Sequence, residues 1–220
     1  MKIFKLSTLA ARGIGIAAVI ICGFSAQNAQ AGYIVTLTQQ GSDVVASGSG
    51  AVDLTGLSLA NFPGSFMGAI NPGAPPLSVP EVITGPAPNP VPSDIYSGTL
   101  NGPTSFGNGG FTGASSGNGD LVGFLAAGNG TFPGGAVFVP SGYVSGNPLS
   151  DTSTYDNATL NSLGVKPGTY VWTWGTGANQ NFTLRVGAAG VPDSDSTLSL
   201  LLIAGSGLSG LSRFRSFRSA

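Results

Sequence analysis

The chain runs to 220 residues with eight Lys and Arg against nine Asp and Glu, a single cysteine and no histidine. Without an imidazole, no Ser-His-Asp or Cys-His catalytic arrangement and no His-based zinc, copper or iron site can be built; the one cysteine, Cys22, sits in an N-terminal apolar run, so a disulfide framework, a thiolate metal site and a thiol nucleophile are excluded from the rest. Between residues 32 and 190 seven acids face only Lys166 and Arg185, a net charge of −5 that argues against a nucleic-acid partner, because phosphate binding takes clustered cations.

Residues 1–31 carry the three parts of a secretory signal peptide in order. Lys2, Lys5 and Arg12 form the basic region, residues 14–24 the apolar region, and Ala29-Gln30-Ala31 a small-x-small cleavage site. The alternative is an uncleaved membrane anchor, but an apolar run of about eleven residues falls short of the roughly twenty that span a bilayer. Export through a Sec translocon and cleavage by signal peptidase after Ala31 are therefore expected, leaving Gly32 at the mature N-terminus.

Residues 32–190 are long enough for one domain with a core. Gly and Pro make 44 of these 159 residues, a level that suggests low complexity, yet Leu, Ile, Val and Phe make 38 and recur in short runs between turn residues. Runs at 33–38, 44–46, 51–54, 94–96, 121–125 and 136–139 predict short strands, and many short strands with Gly-rich turns mean a sandwich or barrel. The eight prolines of 72–92 predict an extended arm or edge loop that cannot enter a central strand. The thirteen glycines of 98–135 predict long loops around one strand at 121–125. One short helix is expected at 157–163, capped by Asp156 or Thr154, with Leu160 and Leu163 on one face and Gly164 as its stop. The fold class is thus all-β, a β-sandwich or jelly-roll-like domain with long Gly/Pro-rich loops and one short helix.

The clearest hairpin joins 168–175 to 181–187. Tyr170, Trp172 and Trp174 share one face, as do Phe182, Leu184 and Val186 on the partner. Such a ladder is first of all core; exposed, Tyr170, Trp172 and Trp174 would form a stacking platform for sugar rings.

Any chemistry in this stretch would fall to carboxylates, Tyr or one of the two cations, Lys166 and Arg185. Residues 117–122, Gly-Asn-Gly-Asp-Leu-Val, are similar to one turn of a calcium-binding Gly-x-Gly-x-Asp repeat, but the turn occurs once, and a Gly-rich hairpin loop is the favoured reading. Asp151, Asp156 and Asn157 form a second conceivable calcium cluster, although capping already explains Asp156. A glycosidase needs two carboxyls held roughly 5–9.5 Å apart, and nothing in the sequence selects a pair. No catalytic, cofactor or metal residue is assigned. Asn-x-Ser/Thr sequences at Asn129, Asn157 and Asn181 matter only in a eukaryotic secretory pathway.

After residue 190 the composition changes again. Val191-Pro192-Asp193-Ser194-Asp195-Ser196-Thr197 precedes an apolar stretch at 198–211, which expects a helix, and then Arg213, Arg215 and Arg218. Arginines favour the cytoplasmic side, so they would hold the stretch with the domain outside. Fourteen residues interrupted by Gly205, Gly207 and Gly210 suit a transient anchor better than an ordinary single-span one. This order of motif, apolar helix and Arg cluster resembles the PEP-CTERM sorting tail, and Val191, Pro192, Asp193 and Ser194 resemble its Val-Pro-Asp-Ser-Gly variant, with Asp195 standing where that variant carries Gly.

The resemblance implies an exosortase as partner in a Gram-negative bacterium that makes exopolysaccharide, with transient inner-membrane association before delivery to the outer surface or matrix. The body, on 140–146, 168–175 and 179–183, also resembles a group of exported PEP-CTERM proteins of uncharacterised activity. The expected function is a non-enzymatic, exopolysaccharide-associated surface or matrix protein. A carbohydrate-binding module using Trp172 and Trp174, and a carboxylate-only glycoside hydrolase, are the alternatives.

Overall fold

In the computed structural model, residues 32–60, 62, 64–73, 78–128 and 130–187 are described. In chain order their strands are β1 (Tyr33–Gln40), β2 (Asp43–Ala51), β3 (Ser58–Leu59), β4 (Gly64–Phe66), β5 (Ala69–Asn71), β6 (Glu81–Thr84) and β7 (Val91–Ser97). There follow β8 (Thr112–Gly113), β9 (Ser116–Gly119), β10 (Val122–Leu125), β11 (Ala136–Pro140), β12 (Pro148–Tyr155), β13 (Gly168–Thr173) and β14 (Asn181–Val186). They build two sheets, one ordered β13-β14-β1-β2-β12-β9 and one ordered β3-β7-β11-β10-β6-β5-β8, with β4 also on β7. The result is an all-β, sandwich-like domain.

Strict alternation builds the first sheet. In β1 the inward row is Tyr33, Val35 and Leu37, and a tight turn at Gly41-Ser42 returns the chain so that Gln40 faces Asp43. Val44 and Ala46 of β2 and Leu149 and Tyr155 of β12 continue that row. β14 lies parallel to β1, with Phe182 opposite Tyr33 and Val186 opposite Leu37; the other pairings of this sheet are antiparallel.

The second sheet is buried on both faces at its centre, which is why β10 and β11 read as continuous apolar runs. Val82, Val122, Phe124, Val137 and Val139 point at the first sheet. Ile83, Ile95, Leu125, Ala136 and Phe138 point outward, where Phe66 of β4, Val91 of β7 and Ala60, Val79 and Phe132 from the connecting segments cover them.

Several expectations need correction. The run at 51–54 is no strand of its own: β2 continues from 44–46 and ends at Ala51, and 52–54 lie outside any strand. The proline-rich stretch is not an arm excluded from the sheet, because β6 lies inside it, between β5 and β10. Its prolines bracket the strand; Pro92 falls on β7 just past the last rung to β11, Ser93 opposite Pro140, where its missing N–H costs that ladder nothing. The glycine-rich stretch carries β8 and β9 besides β10, and β9 forms an edge of the first sheet.

The expected helix at 157–163 is a run of turns. Thr154 and Asp156 do not cap it: Thr154 pairs within β12, and Thr159 and Ser162 instead exchange side-chain-to-backbone bonds of 2.9 and 2.8 Å. The N–H of Leu163 reaches the carbonyl of Thr159 at 3.0 Å, and Gly164, at φ 66°, stops the run after one turn. Leu160 and Leu163 do pack on the core. Among the described residues no helix is long and apolar enough to cross a membrane. Ala29, Ala31, the motif at 191–197, the apolar stretch at 198–211 and the Arg cluster at 213–218 lie outside the described residues.

Candidate functional site

The aromatic strip forms as its parity requires, with Trp172 opposite Phe182 and Tyr170 opposite Leu184. Trp172 is 0% and Trp174 7% exposed. Phe124 lies 4.1 Å from the Trp172 ring, and Phe106 meets it edge-on at 6.1 Å. Each buried indole also finds an acceptor, Trp172 Nε1 donating to the Pro103 carbonyl at 2.9 Å and Trp174 Nε1 to that of Asp53 at 2.7 Å. Tyr170 is half-buried and donates to the Lys166 carbonyl at 3.0 Å. The faces a sugar ring would need on Trp172 and Trp174 are taken by the core, so the stacking platform expected as an alternative is not formed by them.

The carboxylates are dispersed, and most are tied to the scaffold. Asp43 accepts the Asn157 N–H at 2.8 Å, Asp94 the Gly142 N–H at 2.8 Å, and Asp120 the Ser150 N–H at 2.9 Å. Asp53 accepts the Thr55 N–H at 2.9 Å, and bonds from Thr55 hold its carboxyl below the usual range. Burial pushes the half-buried Glu81 up.

The calcium-like turn is also occupied otherwise. Gly117, Asn118 and Gly119 pair with Ser153, Thr152 and Asp151, and Asn118 Oδ1 accepts the Thr152 hydroxyl at 3.1 Å. The first three residues of that turn are therefore strand rather than the hairpin loop expected. Asp151 is buried while Asp156, five residues on, is exposed, so the second cluster does not assemble. Among the described residues no group of three or more acids, Cys or His comes close enough to hold a metal ion.

The unusual group is Asp151 itself, 5% exposed in the middle of the sandwich. Its Oδ2 accepts the Tyr33 hydroxyl of β1 at 2.7 Å and lies 2.8 Å from Thr84 Oγ1 of β6, in the opposite sheet. Thr84 Oγ1 is in turn 3.2 Å from the Val122 carbonyl of β10. The Asp151 Oδ1 is buried and has no hydrogen-bond partner. Desolvation pushes this carboxyl up to about 7, against the bonds from Tyr33 and Thr84 that favour the charged form. Tyr33 is raised as well, first by burial and then by the neighbouring acid. A sequence signal existed: Asp151 shares its inward row with Leu149, Ser153 and Tyr155, an acid where alternation demands an apolar residue.

On the outer side of the second sheet an open cavity of about 850 Å³ is lined by Leu59, Phe62, Ser65, Pro92, Asp94 and Ser141 among others. Phe62, 47% exposed, packs edge-on against Phe132 at 5.8 Å. No family model, curated protein or solved structure matches the chain.

Proposed function

We propose that the chain is an exported envelope protein: a non-enzymatic β-sandwich carried out through Sec, held briefly at the inner membrane by its C-terminal segment, and released by an exosortase to the outer surface or exopolysaccharide matrix. The observation that carries this reading is the tail, in which Val191-Pro192-Asp193-Ser194, the apolar residues 198–211 and Arg213, Arg215 and Arg218 follow one another in the order a sorting signal requires. Two features of the domain support the non-enzymatic part. The acids Asp43, Asp53, Asp94 and Asp120 each accept a backbone N–H, which is scaffold work, and Asp151 is enclosed in the core away from any substrate.

The test is fractionation of the native host with and without its exosortase, with mass spectrometry of both ends of the protein. The expected mature form starts at Gly32 and lacks Ala220. Pro192→Ala with Asp193→Ala should trap an uncleaved, membrane-bound form, and replacing Arg213, Arg215 and Arg218 with Ser should impair retention and processing together. Recovery of Ala220 on the mature protein in the exosortase-positive host would sink the sorting reading.

A further inference from the structure

We propose that Asp151 is a protonated latch between the two sheets, and that losing its proton as the pH rises loosens the sandwich. Three hydroxyl-type protons and their acceptors decide which form the site fits. With the carboxyl neutral, its O–H donates across the sandwich to Thr84 Oγ1, Thr84 donates onward to the Val122 carbonyl, and Tyr33 donates to the carboxyl. Each proton then has an acceptor, and the unpartnered Oδ1 is only a neutral carbonyl oxygen.

With the carboxyl ionised, Thr84 must turn its single proton onto Asp151 and surrender the Val122 carbonyl. Oδ1 then carries buried negative charge with no full hydrogen bond to receive it, only the weaker pull of the Gly48 backbone across from it on β2, a costlier state than a neutral orphan. The titratable groups that act on Asp151 are Tyr33 from β1 and Asp120 from the segment before β10, and Tyr155 of its own strand feels it in return; none is a cation. Gly48 of β2, directly opposite on the neighbouring strand, supplies no side chain at all.

The sign follows from the direction of the shift. The folded carboxyl holds its proton to about pH 7, whereas in the unfolded chain it ionises in the ordinary carboxylate range. The latch therefore contributes fully at acid pH, loses its contribution progressively up to about pH 7, and has none left above. This behaviour is the reverse of ordinary acid denaturation.

The experiment is thermal unfolding of the purified full-length protein from pH 4 to 9, comparing wild type, Asp151→Asn and, as an exposed control, Asp156→Asn. Between pH 5 and 8 the wild-type midpoint should fall by roughly 5 °C or more relative to Asp151→Asn, which keeps the shape of the neutral acid without its charge, and Asp156→Asn should track wild type. Parallel curves for wild type and Asp151→Asn would overturn the proposal. Carbon-13 carboxyl NMR of the wild type reads the same proton directly, whether or not the variant folds. A titration midpoint near neutral is expected, and one below pH 5 would overturn it. Thr84→Val distinguishes a latch from a merely buried acid: if the neutral carboxyl donates to Thr84 and Thr84 onward to the Val122 carbonyl, losing that acceptor should move the midpoint downward. An unmoved midpoint, or an upward shift that shows Thr84 serving the charged form as a donor, would overturn the latch.

Discussion

Gly48 has no room for even a methyl group. A Cβ built there would collide with the Tyr33 hydroxyl and with Asp151 Oδ1, so the absence of a side chain on β2 is what lets the buried acid and phenol meet. Ser153, two residues along the same row, shows how a second polar side chain is tolerated inside. Its hydroxyl donates to the Gly85 carbonyl at 3.0 Å and receives the Gly85 N–H at 2.9 Å, closing a loop between the sheets. Gly48→Ala should cost about 1–3 kcal/mol through overpacking, because the atoms it meets belong to a hydrogen-bonded pair and cannot retreat without breaking it. Urea unfolding at pH 6 measures this; a change under about 0.5 kcal/mol would show that the row is loosely packed.

At the scale of elements, the β13–β14 hairpin carries the densest aromatic packing. Trp172 alone bridges Phe106 and Phe124 while satisfying the Pro103 carbonyl, and Gln180 ties the connecting loop down by donating to the Thr55 carbonyl at 2.8 Å. The strip should therefore respond to mutation in graded fashion. Trp172→Ala removes the whole buried ring, and about 3–5 kcal/mol of stability is expected to go with it. Trp172→Phe keeps most of the apolar contact but leaves the Pro103 carbonyl unpaired, for about 1–3 kcal/mol. Tyr170→Phe, losing one bond near solvent, should cost less than about 1 kcal/mol. The three values are read from denaturation midpoints at constant slope. Equal costs for Trp172→Ala and Tyr170→Phe would contradict the burial difference between the two positions.

For the molecule as a whole, the parallel pairing of β1 with β14 joins the start of the domain to its end in the interior of the first sheet, and the Gly187 N–H closes it on the Leu37 carbonyl at 3.0 Å. One core cluster takes residues from both sheets, so unfolding should be a single cooperative step. Deleting 181–186 removes Phe182, Leu184 and Val186, each worth roughly 1.5–3 kcal/mol of burial, which together rival the 5–15 kcal/mol net stability of a typical domain. That deletion should abolish the cooperative transition seen by calorimetry. Ending the chain at residue 190 should leave the melting temperature within about 2 °C of the full chain, because the core closes at Val186. A larger drop would mean that the tail packs on the sandwich.

Alternation by itself determined the strand at 33–38 and the hairpin of 168–175 with 181–187, because a period of two reports directly on which face is buried, while the strand at 136–139 was legible as a short apolar run between turn residues; the two signals together settled the all-β class. The sandwich then decided what local pattern could not. β6 sits inside a proline-rich stretch because neighbours on both sides, β5 and β10, satisfy four residues whose own propensity is hidden by the prolines around them. β9, Ser-Gly-Asn-Gly, becomes a strand because the edge of β12 offers it a ladder, and the close approach of Gly117 to the Gly85 carbonyl leaves no room for a side chain there. The turn at 157–163 has helical spacing, but one turn is what its own Thr159–Ser162 caps and Gly164 allow. The partners of Asp151 are 118 and 67 residues away in Tyr33 and Thr84, a separation at which no sequence period can announce a contact and only the packing of one sheet on the other creates it.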